Sequence, residues 1–217
     1  MDSDHSTVFL IDDDPIVLNS LSRALRQRGL MVEAFSSANG FLNSTAHTNA
    51  GCLILDICIP GMTGLQLQKE LNERAITMPV IFITGHGEVT QSVQALKAGA
   101  LDFFEKPLKL DTLYQRILEA FEKDQELRLQ KLEENTLLSR FQRLTKRELD
   151  VLQILTSGAA NQSSRDIAAT LGISHRTVEL HRARIMDKTQ ARSVTELVEM
   201  LKRSGFTFTV LSNVEMM

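Results

Sequence analysis

The chain has 217 residues, of which 43% are hydrophobic and 24% charged, proportions that are ordinary for a globular protein. It contains no apolar run of about 18 residues, and its acidic first residues differ from a signal peptide, so neither a membrane span nor a secretory signal is expected. The net charge of −3 hides an asymmetry, because residues 1–123 have a balance of −5 and residues 141–205 one of +4. This asymmetry indicates two domains with different partners, the second a candidate for nucleic-acid binding.

The first 123 residues alternate short apolar runs with helical patterns. Asp14 is suited to cap a helix that begins at Pro15, and Gly29 is suited to end it. Five strands alternating with five helices predict an α/β fold with a doubly wound parallel sheet. The strands are predicted at 7–11, 30–35, 52–57, 79–84 and 102–106, and the helices at 15–29, around 38–45, and through Leu65–Leu71, Val89–Ala100 and Leu110–Phe121.

The rest of the chain is predicted to be helical. Residues 124–140 contain no Gly or Pro and are rich in helix formers, which indicates a helical linker. Its irregular leucine spacing leaves open whether it pairs with a partner or is a solvated spacer. Thr145 and Glu148 form a capping-box pattern at the start of a small all-α domain, residues 141–205. Its four helices are predicted at 145–158, 164–172, 174–188 and 193–205, and the tail 206–217 is left unassigned.

Polar side chains collect at the carboxyl ends of the predicted strands, the edge at which doubly wound sheets bind ligands. Three carboxylates gathered there repel one another unless a cation lies among them, and a hard divalent ion such as Mg²⁺ prefers oxygen ligands. A lysine and a threonine at the same edge suit an oxygen-rich anion such as a phosphoryl group. The residues are Asp12 and Asp13 after the first strand, Asp56 at the end of the third, Thr84 at the end of the fourth and Lys106 at the end of the fifth.

Four elements at these strand ends, in this order, resemble the receiver domain of bacterial two-component response regulators: Asp12-Asp13, Asp56, Thr84-Gly85 and Lys106-Pro107. The resemblance covers about residues 5–123 and implies the flavodoxin-like strand order 2-1-3-4-5. It implies that Asp56 accepts a phosphoryl group from a sensor histidine kinase. Asp13 and Asp56, with the backbone carbonyl of Cys58, would hold Mg²⁺, and Asp12 would act through water.

The same resemblance implies how the receiver domain would switch. Lys106 would pair with the phosphoryl oxygens, and Thr84 would turn inward to hydrogen-bond them. Phe103, three residues before Lys106, occupies the aromatic switch position, and the stretch TGHGEV at 84–89 is most similar to the FixJ subfamily. The chemistry supports this interpretation independently, because in-line phosphoryl transfer needs charge neutralisation and positioning more than covalent assistance.

Residues 174–188 form a predicted helix with an apolar side and a polar, basic side. Val178 and Ile185 face one side, flanked by His181. Basic residues at both ends suit phosphate contacts while the centre of the helix enters a groove. The opposite side carries Arg176, Leu180, Ala183 and Asp187, bordered by Glu179 and Arg184.

Four motifs closely resemble the DNA-binding domain shared by LuxR, NarL and FixJ-type regulators: LTKRELDVL, IAATLGIS, RTVELHR and SVTELV. The match covers about residues 144–204 and implies that 174–188 is the recognition helix of a helix-turn-helix. Glu179, Leu180 and Ala183 would approach base edges in the major groove. The phosphate contacts would be Arg176, Arg182, Arg184 and Lys188, and Thr177 and His181 complete the predicted DNA-binding set.

Two departures from this resemblance stand out. The connection before IAATLGIS is some three residues longer than usual, and Gln162-Ser163-Ser164 should lengthen the turn and supply a new cap or phosphate contact. Glu179 is acidic where basic residues often occur, which indicates contact with cytosine or a limited affinity.

The combined hypothesis is a cytoplasmic, phosphorylation-dependent transcription regulator. It is not expected to be an enzyme beyond accepting the phosphoryl group on Asp56 and slowly losing it. Phosphorylation would remodel the face formed by the helix of residues 89–100, the fifth strand and the following helix, and so promote a homodimer. The dimer would present two recognition helices to promoter DNA, with RNA polymerase as a further partner and no membrane.

Two alternatives are kept. In the first, the receiver domain is a constitutive dimerisation module without phosphotransfer, which the complete acidic set disfavours. In the second, Asp12-x-Asp14 is the nucleophile motif of a haloacid-dehalogenase-type phosphatase. That motif should continue into Thr or Val rather than Pro15, and the alternative leaves Asp56 and the C-terminal helices without a purpose.

Overall fold

The chain folds into two compact units, each with its own apolar core. The computed structural model describes residues 6–85, 93, 95–157 and 163–208. The N-terminal unit ends at Arg128 and the C-terminal unit begins at Leu129, a boundary that lies inside the predicted linker. Within the ranges that the structure describes, no helix combines the length and the apolar character needed to cross a membrane.

The N-terminal unit is built on a five-stranded sheet, all of whose strand pairs are parallel, in the order β2-β1-β3-β4-β5. This confirms the predicted fold class and strand order. Parallel strands with layers on both faces are buried on both sides, and every residue of β3 and β4 is buried. The strands are β1 (Thr7–Ile11), β2 (Met31–Phe35), β3 (Gly51–Asp56), β4 (Val80–Thr84) and β5 (Asp102–Glu105).

Helices connect and cover these strands. Asp14 caps the first one, since its side chain accepts a hydrogen bond from the backbone N–H of Ile16, and Pro15 is the first helical residue, as predicted. The short helix expected around 38–45 ends earlier, at Leu42, and a 3₁₀ turn follows at Ala46–Thr48. Of the helix predicted through Val89–Ala100, residues 93 and 95–97 are helical, and residues 86–92 and 94 lie outside the described residues. The helices are α1 (Pro15–Arg26), α2 (Ala38–Leu42), α3 (Gly64–Glu73) and α4 (Leu110–Gln142).

The sheet separates two apolar clusters, because successive side chains of a strand point to opposite faces. Phe9, Leu53 and Leu55 belong to one cluster, with Phe41 of α2 and Leu67 of α3. The alternate positions belong to the other cluster, which is covered by α1 and α4 and contains Val8, Leu10, Cys52, Ile54, Leu25 and Ile117. Burial of both faces holds the strand ends, and the residues just beyond them, in fixed positions.

A buried acid ties α4 to the start of β3. Asp124 accepts hydrogen bonds from the backbone N–H of Gly51 at 2.9 Å and from Nε of Arg128 at 2.6 Å. The same Arg128 donates to the backbone carbonyls of Thr48 and Asn49. We call these contacts the Asp124 clamp. The clamp lies in the part of α4 that was predicted to be a helical linker, and the helix runs through that part without interruption.

The C-terminal unit packs four further helices around one core. Thr145 and Glu148 make the predicted capping box at the first of them. Phe206 of the tail packs against Phe141 with tilted rings, whose centroids are 5.4 Å apart. The helices are α5 (Lys146–Thr156), α6 (Ser164–Leu171), α7 (His175–Thr189) and α8 (Val194–Ser204). Fully buried side chains of the core include Phe141, Val151, Leu152, Ile167, Val178, Ile185 and Leu197.

Candidate functional sites

Three carboxylates meet at the carboxyl edge of the sheet, as predicted. Asp12 follows β1 and Asp56 ends β3, and these strands are neighbours in the sheet. One oxygen from each of Asp12, Asp13 and Asp56 lies within 4.8 Å of the other two. Asp12 and Asp56 are buried, whereas Asp13 is exposed. The parallel register therefore concentrates negative charge at one partly open point.

Among the described residues, Lys106 is the cation that faces this cluster. Its Nζ lies 2.7 Å from Oδ2 of Asp12 and 3.5 Å from Oδ2 of Asp56. The backbone N–H of Lys106 donates to the carbonyl of Thr84 at 2.7 Å, and Thr84 is fully buried. The pairing of β4 with β5 thus brings the predicted lysine and threonine to the edge that carries the acids.

The charges of the cluster act on one another. Burial raises the pKa of Asp56, the adjacent negative charge of Asp12 raises it further, and the opposing attraction of Lys106 does not cancel these effects. Burial by itself would lower the pKa of Lys106, but its hydrogen bond to Asp12 and the charge of Asp56 raise it above its usual range. One lysine therefore leaves the carboxylates incompletely compensated.

The donor set fits a divalent cation. Oδ1 of Asp56 is buried and has no hydrogen-bond partner among the described residues. Buried oxygens of this kind are normally satisfied, and carboxylates at this spacing are the ligands that Mg²⁺ prefers. Cys58 lies exposed in the loop after β3. The acids Asp12, Asp13 and Asp56 are thus the residues that could hold the ion.

Gly64 is a residue of this site that the sequence analysis missed. A Cβ atom at Gly64 would lie 2.5 Å from the carbonyl oxygen of Asp56 and 2.9 Å from the ring of Phe82. The N–H of Gly64 also donates to the carbonyl of Ile57 at 2.9 Å. Thr63, which precedes it, forms a capping box with Gln66. The absence of a side chain at Gly64 therefore lets α3 begin directly against the backbone of Asp56.

We expect Gly64→Ala to destabilise the N-terminal unit by about 1–3 kcal/mol, the usual effect of forcing atoms into a packed site. The added methyl group must displace the backbone of Asp56 or the ring of Phe82. Chemical denaturation followed by circular dichroism measures the loss of stability. Gly85→Ala is the matched control, because a Cβ atom there meets no atom of the described residues within 4 Å. Equal stability of the two variants would contradict this description of the site.

Phe103 lies on β5, opposite Phe82 of β4. It is half-buried and packs against the cluster that contains Phe9 and Leu53. An aromatic side chain in this position has one side in the core and one side near the surface.

Helix α7 has the two sides that were predicted. Val178 and Ile185 are fully buried, and His181 is intermediate. Leu180 is 49% exposed, so the side opposite Val178 and Ile185 presents one large apolar side chain among polar and charged ones. The exposed residues of the opposite side are Arg176, Glu179, Leu180, Ala183, Arg184 and Asp187.

The four predicted phosphate contacts on α7 differ in their surroundings. Arg176 and Arg184 are exposed and make no ion pair with any other described residue. Arg182 donates from Nη1 to Oγ of Ser164 at 2.8 Å. Nζ of Lys188 lies 2.6 Å from Oε2 of Glu148, a carboxylate whose side chain is only 2% exposed. Lys188 therefore serves the packing of α5 against α7, a role that its basic character alone did not indicate.

Two family models match the chain. The model described as "Response regulator receiver domain" matches residues 8–118, and the model described as "Bacterial regulatory proteins, luxR family" matches residues 142–201. The chain belongs to the two-component response regulators of the NarL/FixJ type. The first match contains the acidic site, and the second contains helix α7.

Relatives of this response regulator cover nearly its whole length. It is 39% identical over 203 residues to the response regulator protein TmoT of Ectopseudomonas mendocina, covering 94% of this chain and 91% of the relative. It is 40% identical over 198 residues to the transcriptional regulatory protein FixJ of Azorhizobium caulinodans, covering 91% and 92%. The solved structure of the response regulator StyR is similar with a TM-score of 0.74 and 37% identity, covering 92% of this chain and 99% of that one.

These comparisons support the transcription regulator and neither of the two alternatives. The chain combines a receiver domain with a LuxR-type DNA-binding domain, and its relatives are named as response regulators and transcriptional regulatory proteins. Sequence reasoning predicted the strand-end acids of this response regulator. It missed Gly64 and the partner of Lys188, because neither a close approach of two backbones nor a contact between distant helices leaves a local signal.

Proposed function

We propose that Asp56 is the phosphoacceptor of this response regulator, with phosphohistidine of a sensor histidine kinase as the donor. The observation that carries the proposal is the position of Asp56, at the end of a buried strand, beside two further acids and 3.5 Å from Lys106. A carboxylate oxygen of Asp56 would form the new bond to phosphorus while the P–N bond of the donor breaks and the imidazole leaves. Lys106 would attract the phosphoryl oxygens.

Asp13 and Asp56, with the backbone carbonyl of Cys58, would hold Mg²⁺, and Asp12 would act through water. The ion, when bound, would neutralise part of the negative charge that the phosphoryl group brings to the carboxylates. Asp12 keeps Lys106 in place through the contact of 2.7 Å. The chain itself thus supplies a buried nucleophile, a fixed cation and the acidic ligands.

Phosphorylation would bias the receiver domain between two states. Thr84 would hydrogen-bond the phosphoryl group, and Phe103 would change its packing. The resulting change at β5 and its neighbouring helices would promote a homodimer. The dimer would present two copies of α7 to half-sites in promoter DNA and would contact RNA polymerase there, so the protein would act in the cytoplasm.

In the DNA-binding domain, α7 is proposed as the recognition helix. Leu180 and Ala183 lie on its exposed side and would contact base edges, with Thr177, Glu179 and His181 alongside. Arg176 and Arg184 would bind phosphates, since they are exposed and make no ion pair with another described residue. Arg182 and Lys188 would contribute to DNA binding mainly through the shape and charge of the unit.

The double variant Arg176→Ala/Arg184→Ala tests the DNA interface. Loss of two phosphate contacts should make the slope of log K against log salt concentration less negative by about 2. Fluorescence anisotropy with a mixed-sequence DNA duplex, after treatment of the protein with acetyl phosphate and Mg²⁺, measures that slope. Lys69→Ala/Lys97→Ala removes two positive charges from the N-terminal unit and is the control. A slope equal to that of the unchanged protein would refute the proposed interface.

A further inference from the structure

Ser164 lies at the junction between α6 and α7. It is the first residue of α6 and is 6% exposed, although serine at a helix start is normally solvated. Its neighbour Ser163 caps the helix, accepting a hydrogen bond from the backbone N–H of Asp166. Ser164 is therefore not needed as the cap, and its buried hydroxyl is directed to other groups.

The hydroxyl of Ser164 connects two charged residues of α7. Arg182 donates from Nη1 to its oxygen at 2.8 Å. The carboxylate of Glu179 lies beside the same hydroxyl, and this polar neighbour is the main reason that the pKa of Glu179 is below its usual range. A hydroxyl group has one donor and two acceptor positions, so it can serve both residues at once. The chain of contacts runs from a cation through Ser164 to a carboxylate.

Other charged groups face the same carboxylate. Nε2 of His175 lies 3.9 Å from Oε1 of Glu179, and the charge of Arg182 also contributes to the low pKa. Glu179 and Arg182 are three residues apart, so they are neighbours on the surface of the helix. Leu180 and Ala183 are exposed next to them on the side proposed to enter the major groove.

We propose that Ser164 is a positioning residue for DNA recognition, which orients the carboxylate of Glu179 toward a base edge and keeps Arg182 away from the phosphates. This inference rests on the proposed function of α7 as the recognition helix. A carboxylate accepts a hydrogen bond from the N4 amino group of cytosine. An oriented Glu179 would thus select cytosine at one position of each half-site.

The network has two separate consequences for binding. Orientation of Glu179 affects which base is preferred, whereas retention of Arg182 affects the number of phosphates that the protein neutralises. Removal of the hydroxyl should change both in defined directions. A merely structural role of Ser164 would lower affinity for all sequences alike and would produce neither change.

Ser164→Ala, made in the full-length protein, tests this inference. Selection from randomised DNA duplexes, with acetyl phosphate and Mg²⁺ present, identifies the preferred sequence of each protein. In the variant, discrimination at the cytosine position should fall by about tenfold. The slope of log K against log salt concentration should become more negative by about 1, because Arg182 is released toward a phosphate. A carboxyl NMR titration should also show that the pKa of Glu179 rises toward its usual value.

Two variants serve as controls. Ser164→Thr keeps the hydroxyl and should behave as the unchanged protein does. Ser163→Ala removes the cap of α6 but not the network, so it should lower stability and leave both the base preference and the salt slope unchanged. In the Ser164→Ala background, a further Glu179→Ala change should have no additional effect on the preference for cytosine.

Several results would overturn the inference. One is a Ser164→Ala protein with the base preference and salt slope of the unchanged protein. Another is an equal loss of preference in Ser163→Ala, which would assign the effect to the position of α6. If the unchanged protein enriches no sequence at all, the proposed DNA recognition fails as well. The NMR titration then shows independently whether the Ser164 network exists.

Discussion

Replacement of Asp56 by Asn is expected to abolish phosphoryl uptake from acetyl phosphate and Mg²⁺. The amide of Asn is a poor nucleophile and lacks the negative charge that a cation at Asp12, Asp13 and Asp56 would require. The unchanged protein should take up one phosphoryl group per chain and lose this ability when Mg²⁺ is chelated. Mass spectrometry of the intact protein measures the stoichiometry directly.

The matched control for this experiment is Asp14→Asn. Asp14 is exposed, stands two residues from Asp12 and caps α1, and Asn is as good a cap as Asp. The control therefore removes one negative charge next to the site without removing the nucleophile, and its phosphoryl uptake should be preserved. Uptake by Asp56→Asn at the stoichiometry of the unchanged protein would show that another residue is the acceptor.

Replacement of Lys188 by Met is expected to destabilise the DNA-binding domain by about 3 kcal/mol. The change removes the partner of Glu148, whose side chain is 2% exposed, and leaves a buried carboxylate without its counter-charge. Chemical denaturation of the full chain, followed by circular dichroism, measures the free energy of unfolding. The double variant Glu148→Gln/Lys188→Met should recover part of the lost stability, because burial of a neutral amide costs less free energy than burial of a carboxylate.

Arg184→Met is the control for this variant, since Arg184 lies on the same helix, is exposed and makes no ion pair with another described residue. Its effect on stability should stay within about 0.5 kcal/mol. If Lys188→Met is as stable as Arg184→Met, the ion pair with Glu148 contributes little and Lys188 is available for DNA.

The same ion pair predicts a dependence of stability on pH. Burial alone would raise the pKa of Glu148, but hydrogen bonds from Lys188 and Thr145 more than offset this and hold it below its usual value. A carboxylate whose pKa is lower in the folded state stabilises the fold above its unfolded pKa of about 4.3. That contribution is lost as the pH falls through the lower, folded pKa. In Lys188→Met, the free energy of unfolding should therefore fall much less than in the unchanged protein as the pH is lowered through this range.

The sequence predicted those parts of the site that depend on strand ends. Asp12, Asp56 and Lys106 each stand where an apolar run stops, and parallel pairing brings such positions to one edge. Capping residues such as Asp14 and Thr145 were predicted for the same reason, since a cap bonds to the backbone only two or three residues away. Local patterns were sufficient in both cases.

Contacts between distant segments could not be predicted in this way. Lys188 and Glu148 are 40 residues apart, and either residue alone is typical of a solvated helix surface. Ser164 is likewise one serine of a pair, and only the packing of α6 on α7 distinguishes its buried hydroxyl from that of Ser163. A basic helix face therefore indicates DNA binding in general. Only the structure distinguishes its basic residues that pair within the protein, such as Lys188, from those that are exposed, such as Arg184.

The Asp124 clamp holds β3 at the end opposite to Asp56. The strand has six residues, a length of roughly 20 Å at about 3.3 Å per residue. The backbone N–H of its first residue, Gly51, is held by Asp124, and its last residue is Asp56. A slip of β3 by a single residue would turn every side chain of the strand to the opposite face. It would break the hydrogen bond between Gly51 and Asp124 and move Asp56, the proposed phosphoacceptor, in the same step. The clamp at one end of β3 therefore also fixes the position of the acid at the other end.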